Sequence, residues 1–243
     1  MHLRLGFATL LAMALPGPVH GEARPHRVVL SAPAGGSAAL AGISLEVPYS
    51  LGTHSERVAA VEGELQLDPA TLALAGGRLV VPLSAIRSGD ATRECHLREA
   101  LGLDYARSRY PRDHACENDR LPASGADAIA FPEIVLDLAR GGPLGDPAAL
   151  DRGGEVPVEA EGTFAIHGVT RPVRLRLAAS RDPSSPGALR LRGRHVFRLA
   201  DFGVVVKPAK VLFVKISVGD EVTAVVDARL VPLEPSSTPG EAR

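Results

Sequence analysis

The stretch Gly162-Thr-Phe-Ala-Ile-His-Gly-Val-Thr-Arg-Pro-Val-Arg-Leu-Arg-Leu177 carries the strongest fold signal in the chain. Two runs of strand-forming residues flank a bend that contains glycine. In the second run apolar residues alternate with Arg174 and Arg176, the period of two expected of a sheet with one buried and one solvated face. Pro172 lacks a backbone donor, which places it at the start of this strand or on an edge. The stretch therefore predicts an antiparallel β-hairpin.

Similar alternation recurs along most of the chain. It covers the runs 43–49, 61–67, 79–83, 134–138, 189–199, 212–216 and 222–230. The pair Gly76-Gly77 and the segments 141–154 and 182–187 are rich in turn residues and predict turns or loops between strands. With the two arms of the hairpin, these runs make about eight or nine strands, which is typical of a β-sandwich or a β-barrel.

One region predicts helix. Thr92 can cap its start, Leu97 and Leu101 share a face, and Gly102 ends it. A second short helical turn is predicted from Asp104 to Arg109, and Pro111 would end it. We therefore expect an all-β domain with a short helical insert.

The N-terminal segment 1–21 has the pattern of a secretory signal. A basic residue, Arg4, leads into an apolar run from Leu5 to Leu15, and the small-residue pattern predicts cleavage before Glu22. The expected organisation is a signal peptide at 1–21, one domain at 22–232 and a disordered tail at 233–243. Residues 22–232 would then work in the periplasm. The net charge of −1 gives no sign of a nucleic-acid partner.

The hairpin closely resembles the signature element of the YceI-like family, exported proteins whose barrels hold polyisoprenoid chains. A second family element follows at Arg198-Leu-Ala-Asp-Phe-Gly203, in the expected order and at a similar distance. The likeness extends over roughly Val28 to Val231. The resemblance implies a lipocalin-like antiparallel β-barrel of about eight strands and an isoprenoid or other apolar lipid as partner.

A barrel of this size either fills with side chains or encloses one small ligand. Aromatic residues make up only 4% of the chain and Trp is absent, so few large rings are available to fill the interior. The alternation by itself also fits a packed sandwich core, and only the resemblance favours a cavity. The residues predicted to line it are Leu45, Val47, Tyr49, Leu65, Leu67, Leu79, Val81, Phe164, Ile166, Leu175, Leu177, Leu191, His195, Phe197, Leu212 and Val214.

Two cysteines, Cys95 and Cys116, flank the helical insert. In an exported protein an even count predicts a disulfide, here closing a loop of about 20 residues. The alternative is a metal site, because His96 directly follows Cys95 and His114 lies two residues before Cys116. Adjacent Cys-His ligands lack the spacing by which one turn presents both side chains to an ion. The disulfide is favoured, and it would hold the insert as a lid over the barrel.

Other polar residues have ordinary structural explanations. His167 at the bend is expected to hydrogen-bond backbone, and His195 lies at an inward position as a core histidine. Glu62 and Glu64, like the row Arg190, Arg192 and Arg194, are predicted to be solvated.

The sequence thus predicts a lipid-binding protein without covalent chemistry and without a cofactor. A second hypothesis is a periplasmic accessory module that docks on an inner-membrane protein, for example a b-type cytochrome, and has no ligand of its own. A third is a metal-dependent enzyme that uses the Cys/His cluster.

Overall fold

Thirteen β-strands and one α-helix make up the structure, a computed structural model that describes residues 23–29, 42–107, 116, 129–206, 208–211 and 214–233. The strands are β1 (Arg24–Val29), β2 (Gly42–Tyr49), β3 (Gly52–Val58), β4 (Glu62–Leu67), β5 (Leu74–Pro82), β6 (Ile86–Arg87), β7 (Glu133–Pro143), β8 (Val156–Ile166), β9 (Val169–Arg181), β10 (Leu189–Arg198), β11 (Ala209–Val211), β12 (Val214–Ile216) and β13 (Glu221–Pro232). The helix α1 spans Ala91–Gly102. The signal segment, Leu212, His114 and the tail from 234 lie outside the described residues.

Eight of the strands close into an antiparallel barrel. Their order around the ring is β1-β4-β5-β7-β8-β9-β10-β13, and β1 pairs with β13 to complete it. The closing seam pairs His26 with Pro232 and Val28 with Leu230, while the other side of β1 pairs His26 with Leu65. The predicted lipocalin-like barrel of about eight strands is confirmed.

The wall is extended at one end by three further strands. β1 pairs with β13 from Arg229 to Pro232, and β2 pairs with the same edge of β13 from Thr223 to Asp227. β3 then pairs with β2, and β6 pairs with β3. The barrel wall beneath α1 therefore includes β2 and β3, although these strands do not belong to the ring of eight.

The predicted hairpin is β8 and β9, in register from Ile166–Val169 to Val156–Ala179. Pro172 lies in a stretch of β9 that pairs with β8, whereas pairing of β9 with β10 begins only at Leu177. Its missing donor is therefore accommodated on the edge side of the strand, as predicted. The bend places His167 at φ 52°, and its Nδ1 donates to the Leu101 carbonyl oxygen at 2.9 Å. His167 thus has the backbone hydrogen bond expected from the sequence.

Paired charges cover the outer face of the sheet. Arg190 Nε lies 2.5 Å from Asp227 Oδ1, and its hydrogen bond holds the pKa of Asp227 below the ordinary value. Arg194 pairs with Glu46, and Glu62 and Glu64 are exposed. The prediction of solvated charges is confirmed for Glu62, Glu64, Arg192 and Arg194, whereas Arg190 is half-buried.

Helix α1 begins two residues earlier than the sequence suggests. Asp90 is the N-cap, and its carboxylate accepts hydrogen bonds from the backbone of Thr92 and Arg93 at 2.9 and 3.0 Å. The prediction of Thr92 as the cap is wrong, because the carboxylate of Asp90 accepts from two of the free amides of the first turn. The end at Gly102 is confirmed. No helix in the described part of the chain has both the length and the apolar character needed to cross a membrane.

Two predicted loops are partly strand. Gly76 and Gly77 lie inside β5, where a Cβ on Gly77 would come within 2.4 Å of the Glu64 carbonyl oxygen. These glycines allow a close backbone approach, so they do not mark a turn. Likewise β7 continues through Gly141 to Pro143. The sequence does not indicate the strands β1 and β3, because both are rich in polar residues and lack apolar alternation.

The end of the barrel opposite α1 is closed by leucines. Leu67, Leu72, Leu74 and Leu150 are buried in one cluster. The turn that carries Leu72 is held by Asp68, whose Oδ1 accepts from the Ala70 amide at 2.9 Å. One end is thus sealed by apolar packing, and the other lies beneath α1.

We expect Gly162→Ala to destabilise the fold by about 2 kcal/mol, because overpacking between strands forces them apart. A Cβ on Gly162 would lie 2.0 Å from the Asp137 carbonyl oxygen of β7. Denaturant unfolding measures the change. The matched control is Gly142→Ala on the same strand pair, where a Cβ meets nothing within 4 Å. Equal stability of the two variants would contradict the prediction.

Candidate functional site

The described residues line three adjoining cavities that follow one another along the interior of the barrel. The upper cavity lies beneath α1 and has a volume of about 130 Å³; the middle cavity is about 130 Å³ and the lower about 80 Å³. Leu45, Ile134 and Phe197 line both the upper and the middle cavity, and Leu175 lines both the middle and the lower. The interior is therefore a segmented hollow that runs along the barrel.

Strand alternation produces this lining. Along β9, Val173 and Leu175 face the middle cavity, and Leu175 and Leu177 face the lower one. Along β10, Leu191 faces the lower cavity, His195 the middle cavity, and Phe197 the middle and upper cavities. Every second residue thus points inward, and Arg174 and Arg176 point outward to ion pairs with Glu161 and Glu159.

Most of the residues predicted to line the interior lie there. The lower cavity contains Leu65, Leu67, Leu175, Leu177 and Leu191; the middle contains Leu45, Leu79, Val81, Phe164, Leu175, His195 and Phe197; the upper contains Leu45, Val47, Ile166 and Phe197. Tyr49 stacks on His54 with ring centroids 4.0 Å apart. The side chain of Val214 is outside the described part of the structure, as is Leu212. Contact of any of these residues with a ligand stays a prediction.

Three phenylalanines pack near the upper end. The ring of Phe164 meets Phe197 and Phe202 edge to face, with centroids 5.3 and 5.6 Å apart. His195 lies inward among apolar residues, and burial lowers its pKa. The middle cavity is therefore apolar except for the imidazole of His195, which is neutral.

The upper cavity is different because it also has polar side chains. His54 and Glu56 of β3 line it, opposite Arg93 and His96 of α1. Glu56 is only 3% exposed, and none of the described residues forms a hydrogen bond with its Oε2. Burial raises the pKa of Glu56, against the opposing effect of Arg93. Burial also lowers the pKa of His54, and Arg93 lowers it further.

Sequence reasoning missed Glu56 and Arg93. Glu56 pairs with Leu45 across β2 and β3, and cross-strand partners share a face of the sheet. One feature of the sequence indicates its position. Glu56 lies two residues before the apolar Val58, in a short segment directly after a strongly predicted strand, so both would share one face if that segment were a strand. Arg93 faces the barrel because Leu97 and Ala100, four and seven positions later, line the same cavity.

A disulfide between Cys95 and Cys116 anchors α1, with Cα atoms 5.8 Å apart. The predicted bridge is confirmed. Helix α1 is also tied to the barrel through the His167–Leu101 hydrogen bond. The hydrogen bond and the packing of Leu97 and Leu101 against the barrel residues hold the helix over the upper cavity.

The metal alternative does not fit this arrangement. Side-chain ligand atoms of His96, Glu99 and Cys116 lie within 4.8 Å of one another. Because Cys116 is bonded to Cys95, its sulfur is not a thiolate, and only two ordinary ligands remain. Glu99 accepts a hydrogen bond from the Tyr105 hydroxyl and lies 3.5 Å from His96 Nδ1. The group is a hydrogen-bonded cluster beside α1.

A polar cleft of about 400 Å³ lies on the other side of α1. It is lined by His96, Glu99, Tyr105 and His167, among others, and shares His96, Ala100 and Val206 with the upper cavity. The helix therefore separates a polar cleft from an apolar interior, and the upper cavity is the section nearest to this surface.

A closed antiparallel barrel with a hollow, largely apolar interior belongs to the lipocalin-like class of β-barrels. More narrowly, the chain belongs to the YceI-like family, because the model of the YceI-like domain matches residues 41–230. No curated protein matches the chain.

Solved structures share the fold at low sequence identity. A polyisoprenoid-binding domain from Saccharophagus degradans, implicated in plant cell wall breakdown, is 12% identical with a TM-score of 0.51, over 79% of this chain and 94% of that domain. BcnA of Burkholderia cenocepacia is 12% identical with a TM-score of 0.50, over 77% of this chain and 94% of its own. At this identity the likeness shows the fold.

We expect loss of the disulfide to lower the free energy of unfolding by about 3 kcal/mol, because the bridge closes a loop with a sequence separation of 21. The double variant Cys95→Ala/Cys116→Ala is compared with the wild type by urea unfolding, with and without a reductant. Reductant should destabilise the wild type and leave the variant unchanged. A wild type that is indifferent to full reduction would refute this expectation.

We expect Glu56→Gln to stabilise the delipidated protein at neutral pH. Because burial raises the pKa of Glu56 above 4.5, the folded state holds the proton more tightly than the unfolded state. The contribution of Glu56 to stability is therefore greatest below pH 4.5 and is lost as the pH rises. Thermal unfolding at several pH values should show a gain in Tm that shrinks toward acid; a gain independent of pH would contradict the raised pKa. The control is Glu62→Gln, at an exposed site.

Proposed function

We propose that this protein binds an isoprenoid or similar apolar lipid inside its barrel and carries it in the periplasm. The observation that carries the proposal is the stack of three cavities lined by inward-facing apolar side chains. Membership of the YceI-like family supports it, as does the polyisoprenoid-binding domain of S. degradans with the same fold.

The dimensions of the interior suit a slender ligand. Each cavity is smaller than the roughly 300 Å³ at which pockets for compact drug-sized molecules begin, but the three follow one another along the axis. Leu175 and Phe197 stand at the junctions, so movement of these two side chains would join the sections. An extended hydrocarbon chain matches this shape better than a bulky ring system.

The energy available is sufficient for tight binding. Each methylene group transferred from water contributes about 0.8 kcal/mol, so a buried chain of about ten carbons contributes on the order of 8 kcal/mol. Part of this is offset by the lost freedom of the ligand. Affinity would therefore arise from apolar burial along the barrel.

Export is part of the proposal. The signal pattern of residues 1–21 and the Cys95–Cys116 disulfide both favour an oxidising compartment outside the cytoplasm. A carrier in that compartment must collect its lipid from a membrane and deliver it there. An inner-membrane protein is the partner that this role would require.

Filling the middle cavity should abolish lipid binding. Ala224 lines this cavity, and Ala224→Phe places a ring in the path of the ligand. We expect the variant to bind a radiolabelled isoprenoid at least tenfold more weakly than the wild type. Native mass spectrometry of the purified proteins should show a lipid adduct on the wild type and none on the variant.

The matched control is Val196→Phe, which adds the same ring at a residue that is 50% exposed. It should bind as the wild type does. Equal lipid content in all three proteins would refute the proposal. An empty wild type that copurifies with a membrane protein would favour the accessory-module alternative.

A further inference from the structure

Glu56 is a buried carboxyl group on the inner wall of the barrel. It stands in the middle of β3, and His54 and Val58 share its face of the strand. Its cross-strand partner Leu45 lines both the upper and the middle cavity. Glu56 therefore lies where the polar end of the interior meets its apolar length.

Among the residues that the structure describes, none hydrogen-bonds to one oxygen of this carboxyl group. Within the described residues, Glu56 Oε2 is buried and has no hydrogen bond. A buried polar atom in this condition costs free energy unless something satisfies it, and a carboxylate costs more than a neutral group. A bound ligand that donates a hydrogen bond would remove this cost.

The surrounding groups define what the ligand can offer. Arg93 lines the same cavity from α1 and carries five donors and no acceptor, while Glu56 in its ionised form only accepts. A hydroxyl group can donate to Glu56 and accept from Arg93 at the same time. A phosphate has only acceptors when ionised and would be repelled by Glu56, and a pure hydrocarbon would leave Oε2 unsatisfied.

We propose that the upper cavity holds the neutral hydroxyl end of an isoprenoid alcohol or phenol, with Glu56 as the acceptor of its hydrogen bond. This inference rests on the proposed lipid-binding function and assigns the orientation of the ligand. The head lies beneath α1, and the hydrocarbon chain extends past Phe197 into the middle and lower cavities. The leucine cluster at the far end then faces the tip of the chain.

The position of α1 agrees with this orientation. The helix contributes Arg93 and His96 to the upper cavity, and the hydrogen bond between His167 and Leu101 ties it to the barrel. The hydroxyl end is thus the part of the ligand nearest to the polar cleft. Glu56 would give the barrel a preference among lipids that share one hydrocarbon chain.

The test uses the full chain, freed of lipid, and three probes with the same isoprenoid chain. These are geranylgeraniol, geranylgeranyl phosphate and the corresponding hydrocarbon. We expect the wild type to bind the alcohol about tenfold more tightly than the hydrocarbon, a difference of about 1.4 kcal/mol. The phosphate should bind more weakly than the alcohol.

Substitution of Glu56 should remove this preference and leave binding of the hydrocarbon intact. In Glu56→Leu the alcohol and the hydrocarbon should bind equally well, and in Glu56→Gln, which keeps one acceptor oxygen, part of the preference should remain. The control Glu62→Gln changes an exposed carboxyl group and should behave as the wild type.

The outcomes separate the two proposals. If Glu56→Leu keeps the full preference for the alcohol, or if the wild type prefers the phosphate, the role of Glu56 is wrong while lipid binding stands. If the wild type binds none of the three probes, lipid binding itself fails, and the inference about Glu56 fails with it.

Discussion

The pairing of β1 with β13 is the constraint on which the rest of this structure depends. It joins the first and the last strand, so the sheet closes into a ring that encloses a space. Once the ring is closed, each strand sends every second side chain inward. The stacked cavities, their apolar lining and the charged outer face all follow from this closure.

Closure also creates two unlike ends. At one end leucines such as Leu72 and Leu150 pack against each other and seal the barrel. At the other end α1 covers the opening, held by the hydrogen bond of His167 to Leu101 and by the packing of its leucines on the barrel. The asymmetry gives the interior a direction, with the carboxyl group of Glu56 and the guanidinium of Arg93 at the end beneath α1. An elongated ligand with one polar end would match that direction.

The buried polar group at the end covered by α1 lowers the stability of the folded protein. Glu56 is a carboxyl group buried in the barrel wall, and its pKa is raised by that burial. A leucine there would pack without such a cost. Proteins commonly carry local destabilisation of this kind where a ligand is bound, because the ligand supplies the missing interaction.

Alternation within β4, β8, β9, β10 and β13 was readable from the sequence, since period-two patterning reflects which face of a strand is buried. The hairpin at 162–177, the helical insert and the cysteine pair were likewise predictable, because each depends on local residue types. Tertiary structure alone decided that the sheet closes into a ring and that the interior stays hollow. It also decided that β3, with His54 and Glu56 at inward positions, belongs to the wall, because only pairing with β2 assigns a face to a polar segment.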